Sequence, residues 1–292
     1  MIITRLQGGL GNQMFQYAMG RSLGLRHGTE LKVDLTDLLD RSAKAACYPF
    51  RDFDLDIFEL NVEIATDEEV RQLTRRVENE LSEKIVRRII GQKRSIVAEP
   101  HYHYSEAAHG SPDNVYLRGY WQSPRYFNDV EPQIRRDFTF REEMNGKAKE
   151  LCAEIRSENS VCMSVRRGDY VKNDVLPCYG VDYFHAADRI FRDRLSGYRY
   201  YVFSDDIQWC EENLRFDVPT TFVSEEYSGR KYQDKLRLMS ACKHFVIPNS
   251  SYVWWAVWFN TNDNKIVIAP KNWFIDPSVK TSDLIPETWI RV

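Results

Sequence analysis

No Cys-x-x-Cys pair occurs in this 292-residue chain, although it carries six cysteines: Cys47, Cys152, Cys162, Cys178, Cys210 and Cys242. Scattered through helix-like and strand-like segments, they suggest neither a disulfide framework nor a zinc site, and they suit a reducing cytoplasm. An excess of one charge is also missing. Forty Lys and Arg face 43 Asp and Glu, a net of −3, so no bulk field draws the chain to nucleic acid and any anion site must be local. Long apolar runs are absent too. The most apolar stretch, 245–259, is interrupted by Pro248, Asn249, Ser250 and Ser251, and is too short and too polar to span a bilayer. The opening Met1-Ile-Ile-Thr-Arg5 lacks a charged leader followed by an apolar run, so no signal peptide is expected. There is no internal repeat or low-complexity tract.

The length fits two domains of moderate size, and an apolar share of 43% leaves a core for each. Ile2–Leu6 reads as a strand, Gln7–Asn12 as a turn, Gln13–Arg26 as a helix with Phe15, Ala18, Met19 and Leu23 on one face, and Leu31–Leu35 as a second strand. This β-loop-α-β opening starts a parallel sheet. The segment 40–61 reads as irregular. Thr66 opens a charged helix running to about Ile90, with Asp67, Glu68 and Glu69 in its first turn. Ser95–Ala98 and Asn114–Gly119 are short strands, and Glu142–Glu158 is a helix. From Ser160 a regular alternation follows: strands at Val161–Val165, Arg199–Phe203, Thr220–Val223, His244–Ile247 and Lys265–Ala269, helices at Asp182–Leu195, Asp206–Leu214, Arg230–Ala241 and Ser250–Phe259. Five strands alternating with helices make a Rossmann-like domain. The boundary falls near residue 158, giving domains 1–158 and 159–292.

Four loops carry chemistry, each directly after a strand. In α/β proteins ligands bind just beyond the carboxyl ends of the strands. Val161-Cys-Met-Ser-Val-Arg-Arg-Gly-Asp-Tyr170 is a buried strand ending in two arginines, and a guanidinium there can grip a phosphate with two parallel hydrogen bonds. Gly168 would permit a turn with positive φ, and Asp169 could orient one arginine. The alternative is a structural salt-bridge cluster. Arg167-Gly-Asp169 is also an adhesion tripeptide, but its place at the end of a core strand argues against that use. Phe203-Ser-Asp-Asp206 points at the same edge. Its carboxylates could bind a nucleoside, cap the next helix or hold magnesium or manganese. Asn249, Ser250 and Ser251 open a helix whose free amides make an anion site, with a plain cap as the other reading. Trp254, Trp255 and Trp258 on that helix read as core. Gly8-Gly-Leu-Gly-Asn-Gln13 lacks the P-loop lysine but lets backbone approach a ligand, with Asn12 and Gln13 supplying amides. Together the loops suggest a nucleotide-bearing donor held between two domains.

At these residues the chain resembles the bacterial α-1,2-fucosyltransferases of glycosyltransferase family 11. The likeness runs through Gly8-Gly-Leu-Gly-Asn-Gln-Met-Phe-Gln-Tyr-Ala18, Gly119-Tyr-Trp-Gln-Ser-Pro-Arg-Tyr-Phe127, Arg166-Arg-Gly-Asp-Tyr170, Phe203-Ser-Asp-Asp206 and Asn249-Ser-Ser-Tyr-Val-Trp-Trp255. The resemblance implies an α/β fold of GT-B type, two facing Rossmann-like domains with a cleft between them. It implies transfer of L-fucose, with inversion, from GDP-β-L-fucose to the 2-hydroxyl of a terminal galactose, on an O-antigen or lipid-linked glycan, with no metal or other cofactor. Arg166 would contact the diphosphate, with Arg167 and Asp169 shaping its loop. Asp205 would help hold the guanosine, and Ser250 and Ser251 the phosphates, with Ser164, Ser204 and Asn249 also among the donor-binding residues. Gly9 and Gly11 would approach the donor, and Asn12 would lie near fucose and acceptor. The family pattern is His-x-Arg-Arg-Gly-Asp-Tyr. Ser164 stands where the histidine is expected and could make only part of its contact.

Two rival functions stand beside this. One is a metal-dependent sugar transferase using Asp52-Phe-Asp54, Asp54-Leu-Asp56 or Asp205-Asp206; the other is a carbohydrate-binding protein with aromatic platforms. A fucosyltransferase of another linkage is the nearer alternative. The general base is not selected by spacing. Finally, Arg75–Arg94 sets Leu81, Ile85, Ile89 and Ile90 at helical spacing beside Lys84, Arg87, Arg88, Lys93 and Arg94. Such a helix could touch the inner face of an anionic membrane weakly, or simply pack on its own domain.

Overall fold

The computed structural model describes residues 1–42, 51–74 and 95–292. Cys47 and the basic segment 75–94 lie outside the described residues. The chain divides into two compact units, Met1–Thr139 and Phe140–Val292.

The first unit is built on β1 (Ile2–Arg5), α1 (Leu10–His27), β2 (Leu31–Asp34), β3 (Glu63–Ile64), α2 (Asp67–Thr74), β4 (Ile96–Ala98), α3 (Glu106–His109), β5 (Val115–Arg118) and α4 (Glu131–Asp137). Its strands are parallel, in the order β3-β2-β1-β5-β4. β1 is central because Ile2, Ile3 and Thr4 are fully buried, as parallel strands covered on both faces must be. The glycine-rich loop follows β1 and the Gly119–Ser123 loop follows β5. The two strands are neighbours at the point where the strand order reverses, so both loops emerge at that unit's switch point.

The second unit comprises α5 (Gly146–Ser157), β6 (Asn159–Val165), α6 (Val181–Arg194), β7 (Tyr198–Ser204), α7 (Ile207–Asn213), β8 (Thr220–Phe222), α8 (Gln233–Ala241), β9 (His244–Val246), α9 (Ser251–Phe259), β10 (Val267–Ala269) and β11 (Ile290–Arg291). All pairings are again parallel, in the order β11-β10-β9-β6-β7-β8. Counted from β6, this is the 6-5-4-1-2-3 order of a Rossmann sheet, with its reversal between β6 and β9. Alternation along β6 sends Val161, Met163 and Val165 into a core with Tyr183, Phe184, Ala187 and Phe191 of α6. Burial of each such side chain contributes about 1.5–3 kcal/mol.

Some elements differ from the sequence reading. The second sheet has a sixth strand, β11, too short to register as a pattern. α5 packs on α8 and β6 and so belongs to the second unit; amphipathicity shows a helix's apolar face but not which sheet receives it. The helix expected from Thr66 is described over Asp67–Thr74, and its remainder lies outside the described residues. The helix expected from Arg230 begins at Gln233, because Lys231 (φ 51°) and Tyr232 (φ 63°) adopt left-handed backbone.

Candidate functional site

In the second unit, three loops meet at the carboxyl edge of β6, β7 and β9. Arg166 follows β6 directly. Its Nη2 donates to Asp169 Oδ1 at 2.6 Å, and its Nη1 lies 3.0 Å from Asp205 Oδ2. Two carboxylates thus fix the plane of one guanidinium whose side chain stays 31% exposed. Asp205 does more than pair with it. Its Oδ1 accepts the Arg167 backbone N–H at 2.9 Å, and its Oδ2 would sit 2.4 Å from a Cβ added at Gly168. Gly168 does not take the positive φ expected of it; it is glycine because the carboxylate occupies the space beside it. Asp205 therefore braces the arginine turn.

Arg167 turns elsewhere. Its guanidinium lies 3.8 Å from the centre of the Trp209 ring, and its Nε is 3.3 Å from Asp206 Oδ2. Asp206 also caps α7, accepting the Trp209 N–H at 3.3 Å. The two adjacent carboxylates thus divide their work: Asp205 holds the turn, Asp206 caps a helix. Ser204 Oγ accepts the Asp206 N–H at 2.9 Å, and Ser164 is buried within β6.

The third loop follows β9. Tyr170 donates its hydroxyl to the Asn249 carbonyl at 3.1 Å, linking the arginine turn to this loop. Asn249 is buried. Its Nδ2 donates to the Trp273 carbonyl at 3.0 Å, and its Oδ1 has no hydrogen-bond partner among the described residues. Ser250 occupies the N-cap position of α9, but its side chain does not cap the helix. The N-terminus of α9 thus lies just past β9 at the carboxyl edge of the sheet, and a helix N-terminus is a place where an anion can be received. Trp254 and Trp255 are buried core residues.

In the first unit, Gly8 has φ 78° and Gly9 is the N-cap of α1. The helix begins at Leu10, three residues earlier than its apolar pattern implied, because that pattern starts only after the polar pair Asn12-Gln13. Gly11 and Asn12 thus lie in its first turn. Asn12 Oδ1 accepts from Gln122 Nε2 at 2.8 Å, and Asn12 Nδ2 would be 2.4 Å from a Cβ at Gly8. The side-chain amide is thereby oriented, oxygen toward Gln122 and nitrogen over Gly8. Gln13 is committed to the loop 52–54: its Nε2 donates to the Asp52 carbonyl at 2.9 Å, and its Oε1 accepts the Asp54 N–H at 2.9 Å. Asp52 pairs with Arg41 at 2.7 Å.

Glu99, immediately after β4, was not singled out by sequence. Its oxygens accept the backbone N–H groups of Tyr120 at 2.7 Å and Trp121 at 2.9 Å. Burial, only partly offset by these bonds, raises its pKa above the ordinary glutamate value. A Cβ on Gly119 would lie 2.3 Å from Glu99 Cβ. Trp121 is fully buried at φ 57°, and its indole N–H has no acceptor among the described residues. Left-handed backbone at a bulky residue costs about 1–3 kcal/mol and persists only where the surroundings impose it. Glu99's position just past a strand was the signal available in the sequence.

Comparison with known proteins agrees with this layout. The family model described as glycosyl transferase family 11 matches residues 81–292. An alpha-1,2-colitosyltransferase of Escherichia coli is 32% identical over 100% of this chain and 99% of its own. The E. coli O-antigen biosynthesis glycosyltransferase WbnK is 29% identical over 98% and 99%. Fucosyltransferase NodZ from Bradyrhizobium, at 19% identity, superposes with a TM-score of 0.50 over 88% of this chain and 90% of its own, a likeness of fold. Two Rossmann-like units in one chain are the GT-B class. With the family model matching residues 81–292 and a 32% identical relative aligned over the whole chain, the chain belongs to glycosyl transferase family 11 and is a glycosyltransferase.

Proposed function

We propose that the chain transfers L-fucose from GDP-β-L-fucose to the 2-hydroxyl of a terminal galactose, inverting the anomeric centre and using no metal. One observation carries this: Arg166 is held at the switch point of the second unit with its guanidinium fixed by Asp169 and Asp205, in a loop that Tyr170 ties to the one opening α9. A guanidinium has five N–H groups, so a fork braced at two nitrogens retains donors for a diphosphate. The α9 amides would take the remaining phosphate oxygens.

As the galactose oxygen attacks the fucose anomeric carbon, the bond to phosphate breaks and its electron pair leaves with GDP. Negative charge grows on the diphosphate, where a preset cation contributes most. The acceptor hydroxyl loses its proton as the new bond forms. Asn12, in the first unit, would orient acceptor and fucose through its turned amide. Ser164, Ser204 and Asn249 would line the nucleotide side, and Gly9 and Gly11 would let backbone approach the donor. Arg167 shapes the turn through Trp209 and Asp206 and does not need to touch the donor. NodZ, a fold relative, has been soaked with GDP-fucose, which supports the donor class. The lipid-linked glycan setting is supported by the O-antigen relative, and among the described residues no helix is long and apolar enough to cross a membrane. A cytoplasmic location, with at most peripheral membrane contact, fits that setting.

A second reading concerns the sugar alone. The 32% identical relative is a colitosyltransferase, so colitose is the competing donor sugar. Galactose-ended oligosaccharides incubated with GDP-fucose or GDP-colitose, in excess EDTA, decide between them, with product linkage read by NMR. We expect an α-1,2-fucosyl product; exclusive use of GDP-colitose, another linkage, or loss of activity in EDTA would overturn the corresponding part.

A further inference from the structure

We infer that Glu99 is a positioning residue for Asn12, acting through the Gly119–Gln122 loop. This rests on the proposed role of Asn12 near the reacting sugars, but its geometry stands alone. The carboxylate receives two consecutive backbone N–H groups, from Tyr120 and Trp121. Its own Cβ fills the space that any side chain at residue 119 would need. Gln16 Nε2 donates to the Gly119 carbonyl at 3.2 Å, which holds the loop from the α1 side. So constrained, the chain leaves Trp121 with φ 57° and a buried indole N–H without an acceptor among the described residues. A loop kept in that state by a carboxylate outside it is held in place by that carboxylate. The next residue, Gln122, then donates to Asn12 Oδ1 at 2.8 Å and fixes the orientation of the Asn12 side-chain amide.

The chemistry follows from reach and polarity. Glutamine at position 99 keeps the volume but places an NH2 against one of two N–H donors, so the clamp opens on one side. Alanine at position 122 leaves the clamp and removes only its link to Asn12. Both substitutions act on the same downstream contact, so their effects should not multiply.

The test uses the full chain in three variants, Glu99→Gln, Gln122→Ala and the pair. Two-dimensional NMR of the Asn12 side-chain amide, assigned through Asn12→Asp, needs no turnover: the resonance should move in each variant and reach the same position in the pair as in Gln122→Ala alone. Kinetics of sugar transfer from GDP-fucose to a galactose-ended acceptor form the second readout. We expect kcat to fall about tenfold or more in each single variant, as small misplacements of a positioning group do, with GDP affinity by calorimetry unchanged within twofold and no further loss in the pair. An unmoved Asn12 resonance in Glu99→Gln, fully multiplicative losses, or an equal loss of GDP affinity would overturn the inference. Should Glu99→Gln fail to fold, Gln122→Glu, which sets an oxygen against Asn12 Oδ1, must move the same resonance or the link is refuted. A wild-type chain that transfers no sugar would instead defeat the proposed function, leaving the resonance to judge the clamp.

Discussion

Replacing Gly168 with alanine probes the arginine turn from inside. The added Cβ would meet Asp205 Oδ2 at 2.4 Å and its Cγ at 3.3 Å. Asp205 cannot retreat freely, because one oxygen holds the Arg167 N–H at 2.9 Å and the other Arg166 Nη1 at 3.0 Å. Hydrogen bonds to charged groups contribute about 1.5–3 kcal/mol when buried, while exposed ion pairs contribute about 0.2–1 kcal/mol. The Asp205 side chain is 24% exposed, so the two contacts together are worth about 1–2 kcal/mol after screening. In a domain of this size each kcal/mol moves Tm by about 2–4 °C, giving a fall of about 2–8 °C. The larger consequence is for chemistry, since displacing Arg166 by a fraction of an ångström should lower turnover about 10–100-fold. Thermal unfolding and transfer kinetics are compared in two backgrounds. In wild type the substitution carries its full cost; in Asp205→Ala, where the obstructing carboxylate is gone, it should carry almost none. Equal costs in both backgrounds would show that Gly168 is not glycine on account of Asp205.

Arg166→Ala should lower transfer about 10²–10³-fold with circular dichroism unchanged, and Arg166→Lys should also be poor because an ammonium cannot reproduce the fork; near-normal turnover in either would count against the diphosphate role. Asp206→Ala removes the α7 cap and should cost about 0.5–2 kcal/mol in thermal unfolding, with GDP affinity little changed; an affinity loss matching Arg166→Ala would put Asp206 in the donor site instead. His244, buried in β9, accepts the Ile266 N–H on Nδ1 at 3.0 Å, and burial, with Lys243 second, lowers its pKa below 6.5. With the folded value depressed, its contribution to stability is present above 6.5 and is lost as pH falls through the folded value. An NMR titration giving 6.5 or higher would contradict this.

Much of the second unit was legible because its strands are short apolar runs punctuated by chemistry-bearing loops. Arg166, Asp205 and Ser250 do lie at one sheet edge, where those loops were expected to converge. What each polar group touches was not legible. Adjacent Asp205 and Asp206 look alike in sequence but take different roles, because one faces the turn and the other the α7 amides. Gly168 read as a conformational glycine and proved a steric one, a distinction that depends on a side chain 37 residues away. Glu99 escaped notice because its partners are backbone amides, which leave no trace in residue type. α5 was placed with the wrong neighbours because a helix's apolar face does not name its partner.

The most direct measurement is a crystal structure of the chain with GDP. The account predicts the diphosphate within hydrogen-bonding distance of the Arg166 guanidinium and of the first-turn amides of α9. A nucleotide seated elsewhere, with Arg166 still engaged only by Asp169 and Asp205, would contradict it.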